Sequence, residues 1–136
     1  MPDRQTLFAI EDDDIDYRIL SRTLSRLGAD VELVRAHDGE QALEMLRQGR
    51  VGEPTAVLLD LNMPRMNGFE FLQSLRDDPS LPSPPIHVMT TSGNPEDRAR
   101  ALSLGVASYI VKADEPADFV ESVADLLDQV GVPRGA

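Results

Sequence analysis

Short apolar runs alternate with segments of helical period along the chain, and this alternation constrains the fold more than any other feature. The runs occupy residues 6–10, 31–35, 56–59, 86–90 and 107–111. Between them, apolar residues recur mostly every three or four positions, which is typical of amphipathic helices. Strands that alternate with helices form parallel sheets with helices on both faces. The sequence therefore predicts an α/β fold with five βα units, a doubly wound parallel sheet.

Capping residues indicate where several predicted helices begin. Asp38 can cap the second helix, Asn67 with Glu70 the third, and Asn94 followed by Pro95 the fourth. The third, fourth and fifth runs are almost continuously apolar, so we expect these strands to be buried on both faces. Residues 1–136 are interpreted as one domain, with its core at about residues 6–130 and no output domain.

The charge balance excludes several classes of protein. The chain has 24 acidic and 13 basic residues, a net charge of −11, which disfavours binding to nucleic acid. Because it has no cysteine, disulfides and thiol nucleophiles are excluded. No apolar run approaches the roughly 18 residues of a membrane span, and the N-terminus lacks a signal peptide pattern. We therefore expect a cytoplasmic protein that binds neither membranes nor nucleic acid.

Polar side chains follow four of the five predicted strands. Glu11 and Asp12 follow the first run, Asp60 the third and Lys112 the fifth, while Thr90 ends the fourth. Ligands of open parallel sheets bind at the carboxyl ends of the strands, so we expect these side chains to lie together. Lys112 is the only basic residue predicted at this site.

A cluster of acids at one sheet edge requires a cation. Two carboxylates about 4 Å apart repel by roughly 4 kcal/mol at an effective dielectric constant of about 20. Mg²⁺ is the cation that such oxygen ligands favour, especially beside a phosphate group. Several of these residues also have a purely structural interpretation, whereas a carboxylate at the position of Asp60 has few structural roles. Residues 12–14 can cap a helix, Lys112 can be a solvated charge, and Thr90 can be an ordinary strand residue.

Taken together, these residues resemble the receiver domain of two-component response regulators. The motifs lie at residues 8–13 (FAIEDD), 58–68 (LLDLNMPRMNG), 90–92 (TTS) and 105–112 (GVASYIVK), and the resemblance covers about residues 6–130. It implies a flavodoxin-like fold with strand order 2-1-3-4-5.

The resemblance also implies a phosphorylation site with bound Mg²⁺. Asp60 would be the phosphoacceptor for a sensor histidine kinase. Asp12 and Asp60 would bind Mg²⁺ through their side chains and Asn62 through its backbone carbonyl, with Glu11 acting through a bound water. Such a site needs positioning and charge neutralisation more than covalent machinery.

Three further residues would convert phosphorylation into a signal. By the same resemblance, Lys112 would hold a phosphoryl oxygen, Thr90 would be the switch hydroxyl, and Tyr109 the aromatic ring that turns inward. The chain would then be a switch rather than an enzyme, limited to Mg²⁺-dependent self-phosphorylation and autodephosphorylation. Its signal would pass to a downstream protein through protein–protein contacts.

Three less specific features of the sequence resemble those of the stand-alone regulators that accompany bacterial phytochromes. They are the proline-containing stretch at residues 76–82, the strand end at residues 90–92, and Ala113 in place of the usual proline after Lys112. Such a protein would accept its phosphoryl group from a bacteriophytochrome. It would form a homodimer through the fourth helix, fifth strand and fifth helix. The substitution at Ala113 leaves the path of its loop open.

Two other functions fit parts of the pattern. A small phosphatase with an aspartyl nucleophile would need a second acid two residues after Asp60, where the chain has Asn62. A pseudo-receiver that acts only as a protein scaffold is disfavoured because Asp12, Asp60, Thr90 and Lys112 are all present.

Overall fold

Five parallel strands form one sheet in the order β2-β1-β3-β4-β5. The computed structural model describes residues 5–112 and 116–135. The strands are β1 (Thr6–Ile10), β2 (Glu32–Ala36), β3 (Ala56–Leu59), β4 (Ile86–Thr90) and β5 (Ser108–Val111). This topology confirms the predicted doubly wound α/β fold and its strand order.

A helix follows each strand. The helices are α1 (Asp14–Arg26), α2 (Gly39–Arg47), α3 (Gly68–Asp77), α4 (Pro95–Ser103) and α5 (Pro116–Val130). The caps form as predicted for three of them: Asp38 caps α2, Asn67 and Glu70 form a capping box on α3, and Asn94 caps α4. None of the helices in the described part of the chain is long and apolar enough to cross a membrane.

The sheet has a hydrophobic core on each face. Because side chains alternate along a strand, Phe8 of β1 contributes to one core and Leu7 to the other. The first core also contains buried residues of α2, α3 and α4, and the second contains residues of α1 and α5. Helices therefore cover both faces, as the alternation of elements predicted.

The observed strands differ from the prediction in two ways. β2 is Glu32–Ala36 rather than residues 31–35, and β5 begins one residue later than expected, at Ser108. The expectation that β5 is buried on both faces is wrong, since Val111 is 42% exposed. Within the described residues, β5 lies at the edge of the sheet and pairs with β4 alone, so its apolar residues are incompletely covered.

Candidate functional site

Three carboxylates meet at the carboxyl ends of β1 and β3. One oxygen each of Glu11, Asp12 and Asp60 lies within 4.8 Å of the others. They meet because the two strands are neighbours, with Ile10 paired to Leu59 immediately before the acids. Hard carboxylate oxygens at this separation can hold a divalent cation such as Mg²⁺.

Burial makes this cluster electrostatically costly. Glu11 and Asp60 are only 7% and 8% exposed. Burial raises the pKa of Glu11 from 4.5 to about 7, the hydrogen bond from Lys112 opposes the rise, and the charge of Asp60 adds to it. A cation in the cluster would relieve this penalty because it favours the ionised carboxyl.

Lys112 is held beside the cluster by two carboxylates. Its Nζ donates hydrogen bonds to Glu11 Oε1 at 2.6 Å and to Asp16 Oδ2 at 2.9 Å, and it lies 4.0 Å from Asp60 Oδ2. Burial lowers the pKa of Lys112, but these hydrogen bonds and the charge of Asp60 outweigh burial and leave the pKa raised. The ammonium group therefore stays charged next to Asp60.

A chain of hydrogen bonds joins the end of β3 to the end of β4. The backbone N–H of Asn62 donates to Asp60 Oδ1 at 3.2 Å, and its side-chain amide lies 3.5 Å from Thr90 Oγ1. Thr90 is fully buried. Its hydroxyl also accepts from the backbone N–H of Ser92 at 3.3 Å. The Thr90 hydroxyl thus lies between Asp60 and the loop that leads to α4.

Tyr109 reaches the same loop from β5. Its hydroxyl donates to the carbonyl of Ser92 at 2.8 Å, and the side chain is buried, with the residue only 8% exposed. The Ser92 hydroxyl in turn donates to Asp97 in the first turn of α4 at 2.6 Å. Tyr109 and Thr90 therefore both contact Ser92, one through its carbonyl and the other through its backbone N–H.

Two residues near the site were not predicted from the sequence. Arg35, at the end of β2, donates from Nε to the carbonyl of Glu11 at 2.9 Å and pairs with Asp14 at 2.8 Å. Lys112 is therefore not the only basic residue at this edge. The rule used for the other strand ends points to Arg35 if it is applied to β2. Asp16 had no such signal, because an acid in the first turn of a helix is common.

The predicted site residues lie at one end of the sheet. Glu11, Asp12, Asp60 and Lys112 form the charged centre, while Asn62, Thr90 and Tyr109 extend from it toward α4. Ala113, where the sequence left the path of the loop open, lies outside the described residues. The arrangement can hold a divalent cation next to a buried carboxylate and place a lysine beside the same carboxylate.

Known proteins are similar to this chain over most of its length. The profile of the response regulator receiver domain matches residues 7–124. The chemotaxis protein CheY homolog of Campylobacter jejuni is 33% identical over 121 residues, which are 89% of this chain and 91% of that protein. The response regulator Rcp1 of Synechocystis is 32% identical over 123 residues, 88% of this chain and 84% of that protein.

Solved structures extend the similarity to three dimensions. A crystal structure of the Mn²⁺-bound form of Rcp1 has a TM-score of 0.81 at 30% identity and covers 91% of this chain and 92% of its own. A crystal structure of the phosphorylated cyanobacterial phytochrome response regulator RcpA has a TM-score of 0.85 at 28% identity, with 98% and 100% covered. The similarity therefore extends over nearly the whole chain.

Proposed function

The chain belongs to the response regulator receiver domain family, and we propose that its Asp60 accepts a phosphoryl group from the phosphohistidine of a sensor histidine kinase. The observation that carries this proposal is the position of Asp60. Its carboxylate is buried at the end of β3, within 4.8 Å of the oxygens of Glu11 and Asp12 and 4.0 Å from the ammonium of Lys112.

The chemical step requires little covalent machinery. A carboxylate oxygen of Asp60 attacks phosphorus, the P–N bond breaks, and its electron pair returns to the imidazole, which leaves as an acyl phosphate forms. Positioning and neutralisation of the phosphoryl charge are the main requirements of such a transfer. Lys112 meets the second requirement, because one of its N–H groups can donate to a phosphoryl oxygen on Asp60.

The same site is proposed to hold Mg²⁺. Asp12 and Asp60 would bind it through their side chains, Asn62 through its backbone carbonyl, and Glu11 through a bound water. When bound, the cation neutralises charge on the carboxylates and on the phosphoryl oxygens. Two observations support this assignment: the cluster of carboxylate oxygens in this chain, and the existence of a Mn²⁺-bound form of the similar protein Rcp1.

Thr90 and Tyr109 are proposed to transmit the change, so that the protein acts as a switch rather than as an enzyme. A phosphoryl group on Asp60 adds acceptor oxygens that can draw the Thr90 hydroxyl toward them. Thr90 and Tyr109 both hydrogen-bond to Ser92, so a shift of one alters the environment of the other. The signal would reach the outer face of α4 and β5.

The partners are proposed by similarity and by exposed surface. A phytochrome as the kinase is suggested by the phytochrome response regulator RcpA among the similar structures. A homodimer through α4, β5 and α5 is suggested by Leu102 and Val111, which are 46% and 42% exposed on neighbouring elements of that face. Dimerisation would cover both side chains.

Mass spectrometry after incubation with acetyl phosphate and Mg²⁺ tests the central proposal. We expect the wild type to gain one phosphate and Asp60→Asn to gain none. Asp77→Asn, which removes an exposed carboxylate at the end of α3, should be phosphorylated like the wild type. A wild type that gains no phosphate would contradict the proposal and favour the unphosphorylated scaffold.

A further inference from the structure

Asp16 contacts Lys112 but has no part in the chemistry proposed for Asp60. It lies in the first turn of α1, where Asp13 is the helix cap and accepts from the backbone N–H groups of Ile15 and Asp16. The Asp16 carboxylate is therefore not needed as the cap. Instead, its Oδ2 accepts a hydrogen bond of 2.9 Å from Lys112 Nζ.

The distances around Lys112 show which carboxylates hold its ammonium group. Glu11 and Asp16 accept hydrogen bonds of 2.6 Å and 2.9 Å, whereas the nearer oxygen of Asp60 is 4.0 Å away, beyond hydrogen-bond distance. The side chains of Lys112 and Asp16 are 15% and 35% exposed. Because the pair is partly buried, solvent screens it less than a surface ion pair.

Glu11 and Asp16 differ in what else they can bind. Glu11 belongs to the carboxylate cluster with Asp12 and Asp60, so a cation there competes with Lys112 for it. Asp16 lies outside that cluster, and its bond to Lys112 does not depend directly on the cation. A phosphoryl group on Asp60 would bring close to two negative charges and three acceptor oxygens toward the same ammonium. Lys112 would then be shared between that group and Asp16.

We propose that Asp16 is a positioning residue that competes with a phosphoryl group on Asp60 for the ammonium of Lys112. In the unphosphorylated protein it holds Lys112 off Asp60, and in the phosphorylated protein it weakens the hold of Lys112 on the phosphoryl oxygens. Asp16 thereby sets how strongly the phosphorylated state is favoured. This inference rests on the proposed role of Asp60.

Binding of beryllofluoride, a phosphoryl mimic, measures this competition at equilibrium. Titration calorimetry in the presence of Mg²⁺ should show that Asp16→Asn binds the mimic about fivefold more tightly than the wild type, the size expected for one partly exposed ion pair. Asp16→Glu, which keeps the charge, should remain close to the wild type. Asp14→Asn removes the same charge two residues earlier on α1, where the carboxylate pairs with Arg35, and should change the affinity less than about twofold.

A double-mutant cycle separates competition for Lys112 from simple charge repulsion. In a Lys112→Met background, Asp16→Asn should no longer tighten binding, because the group for which Asp16 competes is absent. A gain that persists in that background overturns the inference, and so does an Asp16→Asn affinity that is unchanged or weaker. If the wild type neither binds the mimic nor gains phosphate, the proposed function fails and the inference fails with it. If the wild type is phosphorylated normally while Asp16→Asn has no effect, only the inference fails.

Discussion

The two central strands that carry the acids and the edge strand that carries the lysine are built differently. In β1 and β3, residues 7–10 and 56–59 are all buried, each strand has two neighbours, and Glu11 and Asp60 follow directly. In the part of the chain that the structure describes, β5 pairs with β4 alone, and its last residue, Val111, which precedes Lys112, is 42% exposed. The carboxylates thus follow well-packed central strands, whereas the ammonium group of Lys112 follows an edge strand that is only partly covered.

This difference separates the proposed chemistry from the proposed signal. Carboxylates that must hold a metal need fixed positions, which strands covered on both faces provide. A signal to a partner needs a surface that can change, and an edge strand that ends in an exposed apolar residue provides one. Thr90 lies between the two regions, fully buried at the end of β4.

The largest expected effect tests whether the central strands are in fact the better packed. Phe8 is fully buried in β1, so Phe8→Ala should lower the free energy of unfolding by about 3–5 kcal/mol. Val111→Ala in the exposed part of β5 should lower it by less than about 1 kcal/mol. Urea denaturation of both variants measures the two values. Similar losses would show that the edge strand is packed as tightly as the centre.

A smaller effect is expected where α3 begins against the end of β3. A Cβ on Gly68 would lie 2.7 Å from the carbonyl oxygen of Asp60 and 2.8 Å from the Cα of Leu61. Backbone at this distance cannot move aside easily, so Gly68→Ala should destabilise the protein by about 1–3 kcal/mol. It should also slow phosphorylation of Asp60, since that residue must shift.

Gly39→Ala is the matched control, because Gly39 is also the first residue of its helix. The Cβ there would meet the side chain of Met66 at 2.9 Å, and a flexible methionine can move. We expect a loss below about 1 kcal/mol and a normal rate of phosphorylation. If Gly68→Ala and Gly39→Ala lower the urea midpoint equally, the backbone beside Asp60 tolerates a Cβ as well as the side chain of Met66 does.

The smallest effect concerns the contact between β4 and the edge strand at low pH. His87 in β4 is 2% exposed, its Nδ1 is 2.7 Å from Ser108 Oγ in β5, and burial lowers its pKa below 6.5. The unfolded chain therefore binds a proton at His87 more readily than the folded protein does. The contribution of His87 to the free energy of unfolding should fall as the pH falls through 6.5, by at most about 1.4 kcal/mol per pH unit, while Glu11, with its raised pKa, acts in the opposite direction.

Urea denaturation from about pH 7.5 to about pH 5.5 measures this dependence. His87→Gln should remove the contribution of His87, so the wild type should lose stability relative to this variant as the pH falls. His37→Gln, at an exposed position, should keep the slope of the wild type. If the free energy of unfolding of His87→Gln depends on pH as that of the wild type does, burial in β4 does not lower the pKa of His87.

The sequence predicted the fold well because each strand and helix carries local signals. Asn67 and Glu70 form their capping box within four residues of chain, and the burial pattern of β3 follows directly from its four apolar residues. The burial of β5 was predicted wrongly because an apolar run looks the same at the centre and at the edge of a sheet. Position in the sheet is a property of the topology and not of the strand.

The rule for strand ends predicted only part of the candidate site, and the resemblance to receiver domains added Asn62 and Tyr109. Asp60 was recognised because a carboxylate directly after a buried strand has few structural uses, and Lys112 because it follows a strand at the same sheet edge as the acids. Arg35 was overlooked although it also lies at a strand end. Asp16 had no signal of its own, since the first turn of a helix favours acids whether or not they contact a functional group.

The sequence by itself determined the order of the elements, the edge of the sheet where the acids gather and the residue types available there. Only the tertiary structure decided which carboxylates Lys112 contacts. Asp16 and Lys112 are separated by 96 positions in the chain, and Glu11 and Lys112 by 101. Whether such residues meet depends on where the end of β5 lies relative to the end of β1 and the first turn of α1. Local signals fix each element, but the distance between side chains on separate elements depends on the packing of the whole core.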